Sequence, residues 1–252
     1  MLNVVVHGTG ENTPLVIAHG LYGSARNWGV IAKRLSDTRP VIAVDMRNHG
    51  TSPWFDSHSY PDLATDLAQV IEANGGRADV LGHSMGGKAA MVLALQNPDL
   101  VERLIVADIA PVTYTHSQLP YVQAMRSIDL SGIETRVDAD TLLAQSVEDP
   151  ALRAFLLQSL DVKARGWRLN LKALEDQMPL IMGFPDMQNA FDGPTLFLAG
   201  GTSDYVKPQD RAQMKALFPA ARFAKIPGAG HWLHAEKPRE FEAAVQAFLA
   251  LG

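Results

Sequence analysis

Cysteine is absent from the 252-residue chain. This excludes a disulfide framework, a thiolate nucleophile and any metal site built on cysteine ligands. Positive charge is also scarce, because 22 Lys and Arg residues stand against 27 Asp and Glu residues, giving a formal net charge of −5. Proteins that bind nucleic acids or anionic membranes favour basic surfaces, so we expect neither as a partner.

Long apolar runs are missing as well. No segment reaches the uninterrupted apolar length that crosses a membrane, and the first residues lack the basic region and apolar stretch of a secretion signal. We therefore expect a protein without a membrane span that works in the cytoplasm. The sequence does not predict an oligomeric state.

What the chain does contain is a regular alternation of short apolar runs and segments with helical periodicity. This alternation is typical of an α/β fold, with a mostly parallel central sheet flanked by helices. The apolar composition of the runs predicts strands buried on both faces. The predicted strands are Leu2–His7, Leu15–Ala18, Val41–Val44, Asp79–Leu81, Leu104–Ala107, Thr195–Ala199 and Phe223–Ile226. The predicted helices are Asn27–Ser36, Pro61–Asn74, Met85–Gln96, Pro208–Phe218 and Pro238–Leu249.

The alternation stops between about Pro111 and Asp192. Apolar residues in this stretch recur at helical spacing, as in Leu152, Phe155, Leu156 and Leu160. We predict a core formed by residues 1–111 and 191–252, with residues 112–190 inserted as a helical cap (lid). Such a cap would cover the carboxyl ends of the strands, where open α/β sheets bind ligands. A loop-rich surface excursion is the alternative, but an unstructured insertion of this length would be unusual in a compact domain.

The strongest local signal is the segment Gly82-His83-Ser84-Met85-Gly86-Gly87, which lies between a predicted strand and a predicted helix. A G-x-S-x-G motif in this setting holds its serine on a strained turn above the sheet, and the glycines let strand and helix approach closely. Ser84 is therefore the predicted nucleophile, although a simple turn is the alternative. The free N–H of Met85, at the start of the helix, is suited to an oxyanion.

Two other loops are predicted to meet this serine. The strand Leu15–Ala18 runs into His19-Gly20-Leu21-Tyr22-Gly23, where the N–H of Leu21 is the predicted second oxyanion donor and His19 shapes the loop. His231 follows the last predicted strand within a glycine-bounded loop. Imidazole suits a general base at neutral pH, so His231 is the predicted base in preference to His234, which has no adjacent glycine.

The acid that would orient His231 has two candidates. Asp108 follows the strand after the nucleophile helix, and Asp204 follows the next strand of the predicted core. A triad acid is buried and accepts a hydrogen bond from the imidazole, which fixes the imidazole tautomer. Either aspartate could do so, and the residues alone leave both open.

Four segments together resemble the small bacterial YbfF-type esterases and related mitochondrial abhydrolase-domain proteins of the α/β-hydrolase superfamily. The segments are Gly82–Lys88, Val44–Ser52, Asp108–Pro111 and Gly230–Pro238, and the resemblance extends over essentially the whole chain. It implies a capped α/β-hydrolase fold and hydrolysis of carboxylic esters with short or medium acyl chains, with thioesters as a further class. It also implies that Asp108 is the triad acid. The chain departs from the group's pattern by carrying Asp204, which remains the alternative acid.

The predicted reaction is acyl transfer through Ser84, with His231 accepting the proton, the Leu21 and Met85 amides stabilising the oxyanion, and water hydrolysing the acyl-enzyme. It requires no metal and no organic cofactor, and its partner is a small-molecule ester. Tyr22, Arg47 and Trp232 are predicted substrate contacts, although Arg47 could instead hold loops together. Alternative functions are a cofactor-free perhydrolase, lyase or C–C hydrolase on the same fold, and a non-catalytic hydrolase-like binding protein.

Overall fold

The computed structural model describes residues 1–251, and its main feature is a seven-stranded sheet. The strands of the chain are β1 (Val4–His7), β2 (Leu15–Ala18), β3 (Val41–Val44), β4 (Ala78–His83), β5 (Val101–Ala107), β6 (Leu160–Asp161), β7 (Gly166–Trp167), β8 (Thr195–Gly200) and β9 (Ala221–Ile226). The large sheet has the order β1-β3-β2-β4-β5-β8-β9, and β6 pairs with β7 separately. Within the large sheet only β1 runs antiparallel to its neighbour. The predicted mostly parallel sheet is thus confirmed.

Burial on both faces holds for the inner strands but is wrong for the two outer ones. β2, β3, β4 and β8 are buried along their whole length. In β1, by contrast, Val5 and Val6 are 41% and 54% exposed, and β9 is largely exposed. The reason is position, because an outer strand has one neighbour and is only partly covered by helices, which its apolar composition does not reveal.

Helices cover both faces of the sheet. The helices of the chain are α1 (Gly29–Leu35), α2 (Tyr60–Glu72), α3 (Met85–Gln96), α4 (Leu119–Ser127), α5 (Arg136–Leu143), α6 (Pro150–Leu156), α7 (Leu171–Asp176), α8 (Met178–Met182), α9 (Arg211–Leu217), α10 (Leu233–Glu236) and α11 (Pro238–Leu249). One apolar cluster joins α2, α3 and α9 to the sheet, and a second joins α1 and α11 to it. The predicted starts at Asn27 and Pro208 fall in 3-10 turns, Ala25–Trp28 and Pro208–Asp210, which precede α1 and α9.

The stretch between β5 and β8 contains α4 to α8 and builds a third apolar cluster largely of its own. Its predicted helical spacing holds through Leu156, where α6 ends. Leu160 is different, because a 3-10 turn, Leu157–Ser159, intervenes and Leu160 begins β6. The short β6–β7 pair in this stretch was not among the predicted strands. No helix in the described part of the chain is both long and apolar enough to cross a membrane.

Candidate active site

Ser84 lies at the sharp turn between β4 and α3. Its φ of +52° and ψ of −120° are strained for a residue with a side chain. Both flanking glycines are required by space: a Cβ on Gly82 would lie 2.2 Å from the carbonyl oxygen of Gly86, and one on Gly86 would lie 2.3 Å from that of Ala18. The predicted close approach of strand and helix is therefore present, and it holds the Ser84 hydroxyl above the carboxyl edge of the sheet.

Three of the predicted site residues form a continuous hydrogen-bonded series. The Ser84 hydroxyl lies 3.1 Å from Nε2 of His231, and Nδ1 of His231 lies 2.8 Å from Oδ2 of Asp108. A carboxylate can only accept, so Nδ1 carries the proton and the lone pair of Nε2 faces the Ser84 hydroxyl. This is the tautomer that can remove a proton from serine.

Asp108 is fully buried at the end of β5, with a φ of +50°. The Gly200 N–H donates to its Oδ1 at 2.8 Å, and the Ser203 hydroxyl donates to the oxygen that also accepts from His231. These donors fix the plane of the carboxylate. Ser203 was missed by sequence reasoning, because a serine in a polar loop has no distinctive pattern.

The alternative acid, Asp204, is not brought to the imidazole. It lies on the loop after β8 and lines a separate surface cavity on the outer side of His231. Within the described residues, no hydrogen bond or ion pair joins it to His231, whose Nδ1 is bonded to Asp108. The sheet order puts the end of β5 between the Ser84 turn and the His231 loop, so Asp108 and not Asp204 reaches the imidazole.

His83 supports the histidine loop from within the motif itself. Its Nε2 donates to the carbonyl oxygen of His231 at 2.8 Å, and the two rings are 4.8 Å apart. Burial lowers the pKa of His83 well below its usual 6.5, so the ring stays neutral with one N–H to donate. His234 has another environment, stacked 4.2 Å from the Trp28 ring, and burial lowers its pKa to about 3. The motif gave no indication of either contact.

The two amides predicted as oxyanion donors both belong to residues that line the cavity beside Ser84. Neither the Leu21 N–H nor the Met85 N–H is bonded to another group in residues 1–251.

The loop that carries Leu21 is shaped by two buried histidines. His19 donates to the Gly20 carbonyl at 2.8 Å and accepts from the Met46 N–H, as its predicted structural role requires. His49 accepts from the N–H of Tyr22, whose φ is +64°.

A cavity of about 310 Å³ opens at Ser84. Tyr22 and Trp232, two of the predicted substrate contacts, are among its lining residues. Arg47, the third predicted substrate contact, does not line it. Asp66 binds its guanidinium through both carboxylate oxygens, at 2.6 and 2.9 Å, and Ser57 accepts a third bond, which agrees with the alternative role of holding loops together. The opposite wall comes from the stretch between β5 and β8. Its lining residues are Ile109, Tyr114, Gln118, Tyr121, Asp149, Leu152, Phe155, Ile181 and Met182.

Lys88, one turn after Ser84 in α3, also lines the cavity, yet its charge is fully engaged. Its Nζ donates to the carbonyl oxygens of Val112 at 2.9 Å, Met182 at 3.1 Å and Gly183 at 2.5 Å. The side chain is buried, and this burial lowers its pKa to about 7.

The fold agrees with comparisons to known proteins. The model of a family described as "Alpha/beta hydrolase family" matches residues 15–244. The chain therefore belongs to the alpha/beta hydrolase family, which confirms the resemblance drawn from its motifs.

Among individual relatives, the esterase YbfF of Escherichia coli is 41% identical over 243 residues, covering 95% of this chain and 94% of the relative. A Danio rerio protein named sn-1-specific diacylglycerol lipase ABHD11 is 40% identical over 256 residues, covering 97% and 81% of the two chains. A solved structure titled "Marine microorganism esterase" has a TM-score of 0.93 at 40% identity and covers 98% of each chain. These relatives support a hydrolase activity.

Proposed function

We propose that this hydrolase is a serine carboxylesterase that cleaves short- to medium-chain acyl esters through an acyl-enzyme. The observation that carries the proposal is the series from the Ser84 hydroxyl through His231 to the buried Asp108, with distances of 3.1 and 2.8 Å. The imidazole lies between the hydroxyl whose proton it would accept and the carboxylate that would orient it. The esterase and lipase names of the relatives point to the same reaction.

In the first half of the reaction, the Ser84 oxygen attacks the ester carbonyl while its proton moves to Nε2 of His231. Negative charge collects on the carbonyl oxygen, where the N–H groups of Leu21 and Met85 stabilise it. The C–O bond to the alcohol then breaks, and His231 donates its proton to that leaving oxygen. In the second half, water attacks the acyl-enzyme with the same proton transfers, releasing the acid and restoring Ser84.

The volume and the apolar lining of the cavity support the proposed short to medium acyl chain. Its volume of about 310 Å³ lies at the small end of the range of roughly 300–1,000 Å³ typical of small-molecule sites. Leu152, Phe155 and Ile181 give the outer wall an apolar surface suited to a hydrocarbon chain. We propose that residues 112–190 act as the cap that encloses this chain.

A chain-length series of p-nitrophenyl esters tests the proposal. Wild-type protein is expected to hydrolyse acetate to octanoate esters and to be labelled at Ser84 by a fluorophosphonate. Ser84→Ala is expected to lose activity by roughly 10⁴- to 10⁶-fold, because no other group can form the acyl-enzyme. Unchanged thermal unfolding of the variant is the control for folding.

Further substrates distinguish the proposed esterase from the alternative functions. A thioester arm measures whether acyl thioesters share the site, and peroxide-dependent halogenation and ring-fission substrates test the perhydrolase and C–C hydrolase alternatives. Turnover of an ester that persists in Ser84→Ala, or labelling at a different residue of active protein, would refute the assignment. Ligand binding without turnover of any ester would favour a binding protein.

A further inference from the structure

The face of the His231 ring is covered by the ring of Tyr205. The two rings are stacked, with centroids 3.9 Å apart and planes 18° from parallel. We propose that Tyr205 is a positioning residue that stabilises the imidazolium form of His231 during acyl transfer. This inference rests on the proposed esterase function and adds to it a residue that acts through the general base.

The Tyr205 ring is held in place from several sides. The Tyr114 hydroxyl donates to its carbonyl oxygen at 2.7 Å, and its own N–H donates to the Ser203 hydroxyl at 3.3 Å. The far end of the ring is also anchored, because the Tyr205 hydroxyl is hydrogen-bonded to Nε2 of His116 at 3.0 Å. Ser203 donates in turn to Asp108. One loop therefore fixes both the carboxylate at the edge of the imidazole and the aromatic ring on its face.

The chemistry of the pair favours the charged state. His231 is neutral while its Nε2 accepts a bond from the Ser84 hydroxyl, and it becomes cationic when the serine proton moves to Nε2. An aromatic face carries negative potential and attracts a cation above it. Because that charge appears only as the reaction proceeds, the attraction lowers the barrier more than it stabilises the free enzyme.

Other titratable groups surround His231, and their charge states must be the same in the variants that are compared. From other elements these are Asp108, His83, His116, Asp204, Lys207 and Asp210. From its own loop and the following helix they are His234 and Glu236. Burial keeps the pKa of His83 and His234 far below neutrality, so neither ring gains charge in the assay range. His116 contacts Tyr205 through the phenol hydroxyl and through an edge-on ring contact with centroids 5.1 Å apart. A phenylalanine removes the first contact and keeps the second.

The decisive comparison is Tyr205→Leu against Tyr205→Phe. The leucine covers the imidazole without an aromatic face, whereas the phenylalanine keeps the face and loses only the hydroxyl. We expect Tyr205→Leu to lower kcat/KM about two- to fivefold at the pH plateau, and to lower the pKa of His231 by roughly 0.4–0.7. Tyr205→Phe is expected to keep both close to wild type. The readouts are the pH profile of kcat/KM and an NMR titration of the His231 Cε1 proton.

Folding and the underlying function are checked separately. Thermal unfolding shows whether each variant is folded, and Tyr205→Trp, which retains an aromatic face, is expected to give a His231 pKa no lower than wild type. Equal pKa values for the leucine and phenylalanine variants, or a lower value in Tyr205→Trp, would overturn the inference. Failure of a fluorophosphonate to label Ser84 in active wild-type protein would instead refute the proposed function, because the NMR titration needs no turnover.

Discussion

At the scale of single residues, the site depends on how many donors each carboxylate has. Asp108 is fully buried and accepts from the Gly200 N–H, the Ser203 hydroxyl and the imidazole of His231. A buried carboxylate needs such partners, since an unpaired charge away from water is strongly unfavourable. The same donors prevent Asp108 from rotating away from His231. Asp204, four residues beyond Gly200, faces a surface cavity and has none of these bonds.

This contrast predicts different effects for two equivalent substitutions. Asp108→Asn is expected to lower kcat by roughly 10⁴-fold, because an amide in place of the carboxylate holds the imidazole in the wrong tautomer. Asp204→Asn is expected to change kcat less than about twofold and serves as the matched control. Steady-state kinetics on a p-nitrophenyl ester measures both. A larger loss in Asp204→Asn than in Asp108→Asn would contradict the assignment of the acid.

The sequence predicted the site residues that lie within a distinctive local motif. The glycines around Ser84 and His231 predicted the two positions that the structure brings within 3.1 Å. The residues alone left Asp108 and Asp204 open, and only the family resemblance implied Asp108, because the choice depends on β5 lying beside β4 in the sheet. Tyr205 lies next to a residue that was considered, but ring stacking across 26 positions has no sequence signature.

At the scale of elements, Lys88 links the helix that carries Ser84 to the stretch between β5 and β8. Its three bonded carbonyls lie at both ends of that stretch, at Val112 and at Met182 and Gly183. The ends also meet directly, because the Tyr114 N–H donates to the Met182 carbonyl at 3.0 Å. A single ammonium group therefore satisfies oxygens on two chain segments about 70 residues apart.

Lys88→Met is expected to loosen both ends of the stretch, because methionine fills similar space but leaves three carbonyl oxygens without their donor. Amide hydrogen exchange around Val112 and Gly183 should speed up by at least about tenfold, while exchange in β4 and β5 stays unchanged. Lys172→Met, at a side chain that is 74% exposed, is the control and should change neither. Protection equal to wild type in Lys88→Met would show that the ammonium does not hold the two ends.

The elements themselves were predictable where local chemistry marks their ends. The bounds predicted for α3 and α11 match the structure, since a strained turn begins one and a proline the other. The β6–β7 pair escaped prediction because two-residue strands are too short to show periodicity. Their pairing depends on nearby contacts such as the bond from the Arg168 N–H to the Ser159 carbonyl.

At the scale of the whole molecule, the buried histidines form a pH-sensitive set. His19, His49 and His58 lie side by side under the loops after β2 and β3, with neighbouring ring centroids 5.0 and 5.5 Å apart. His83 and His234 form a second pair at 4.7 Å. Burial lowers the pKa of all five, to about 3 for His58 and His234. None of them can gain a proton without becoming a buried charge.

The lowered pKa values of these histidines determine how the free energy of unfolding depends on pH. A histidine whose pKa is lower in the folded state than in the unfolded chain stabilises the fold above pH ~6.5, and that stabilisation is lost as pH falls toward ~3. The free energy of unfolding, measured by urea denaturation, should therefore decrease steadily between pH 7 and 4. His58→Gln should flatten this decrease, whereas His7→Gln on the outer strand β1 should not. A free energy of unfolding that stays constant or rises toward pH 4 would contradict the expectation.

The cavity is assembled from two separate lengths of chain. Ser84, His231 and Asp108 come from turns at the edge of the central sheet, whereas Leu152 and Phe155 come from the stretch between β5 and β8. A substitution in that outer wall would change the shape of the cavity while leaving the hydrogen bonds that join Ser84, His231 and Asp108 in place. Substitutions in this stretch can therefore alter substrate preference without altering the three residues at the edge of the sheet.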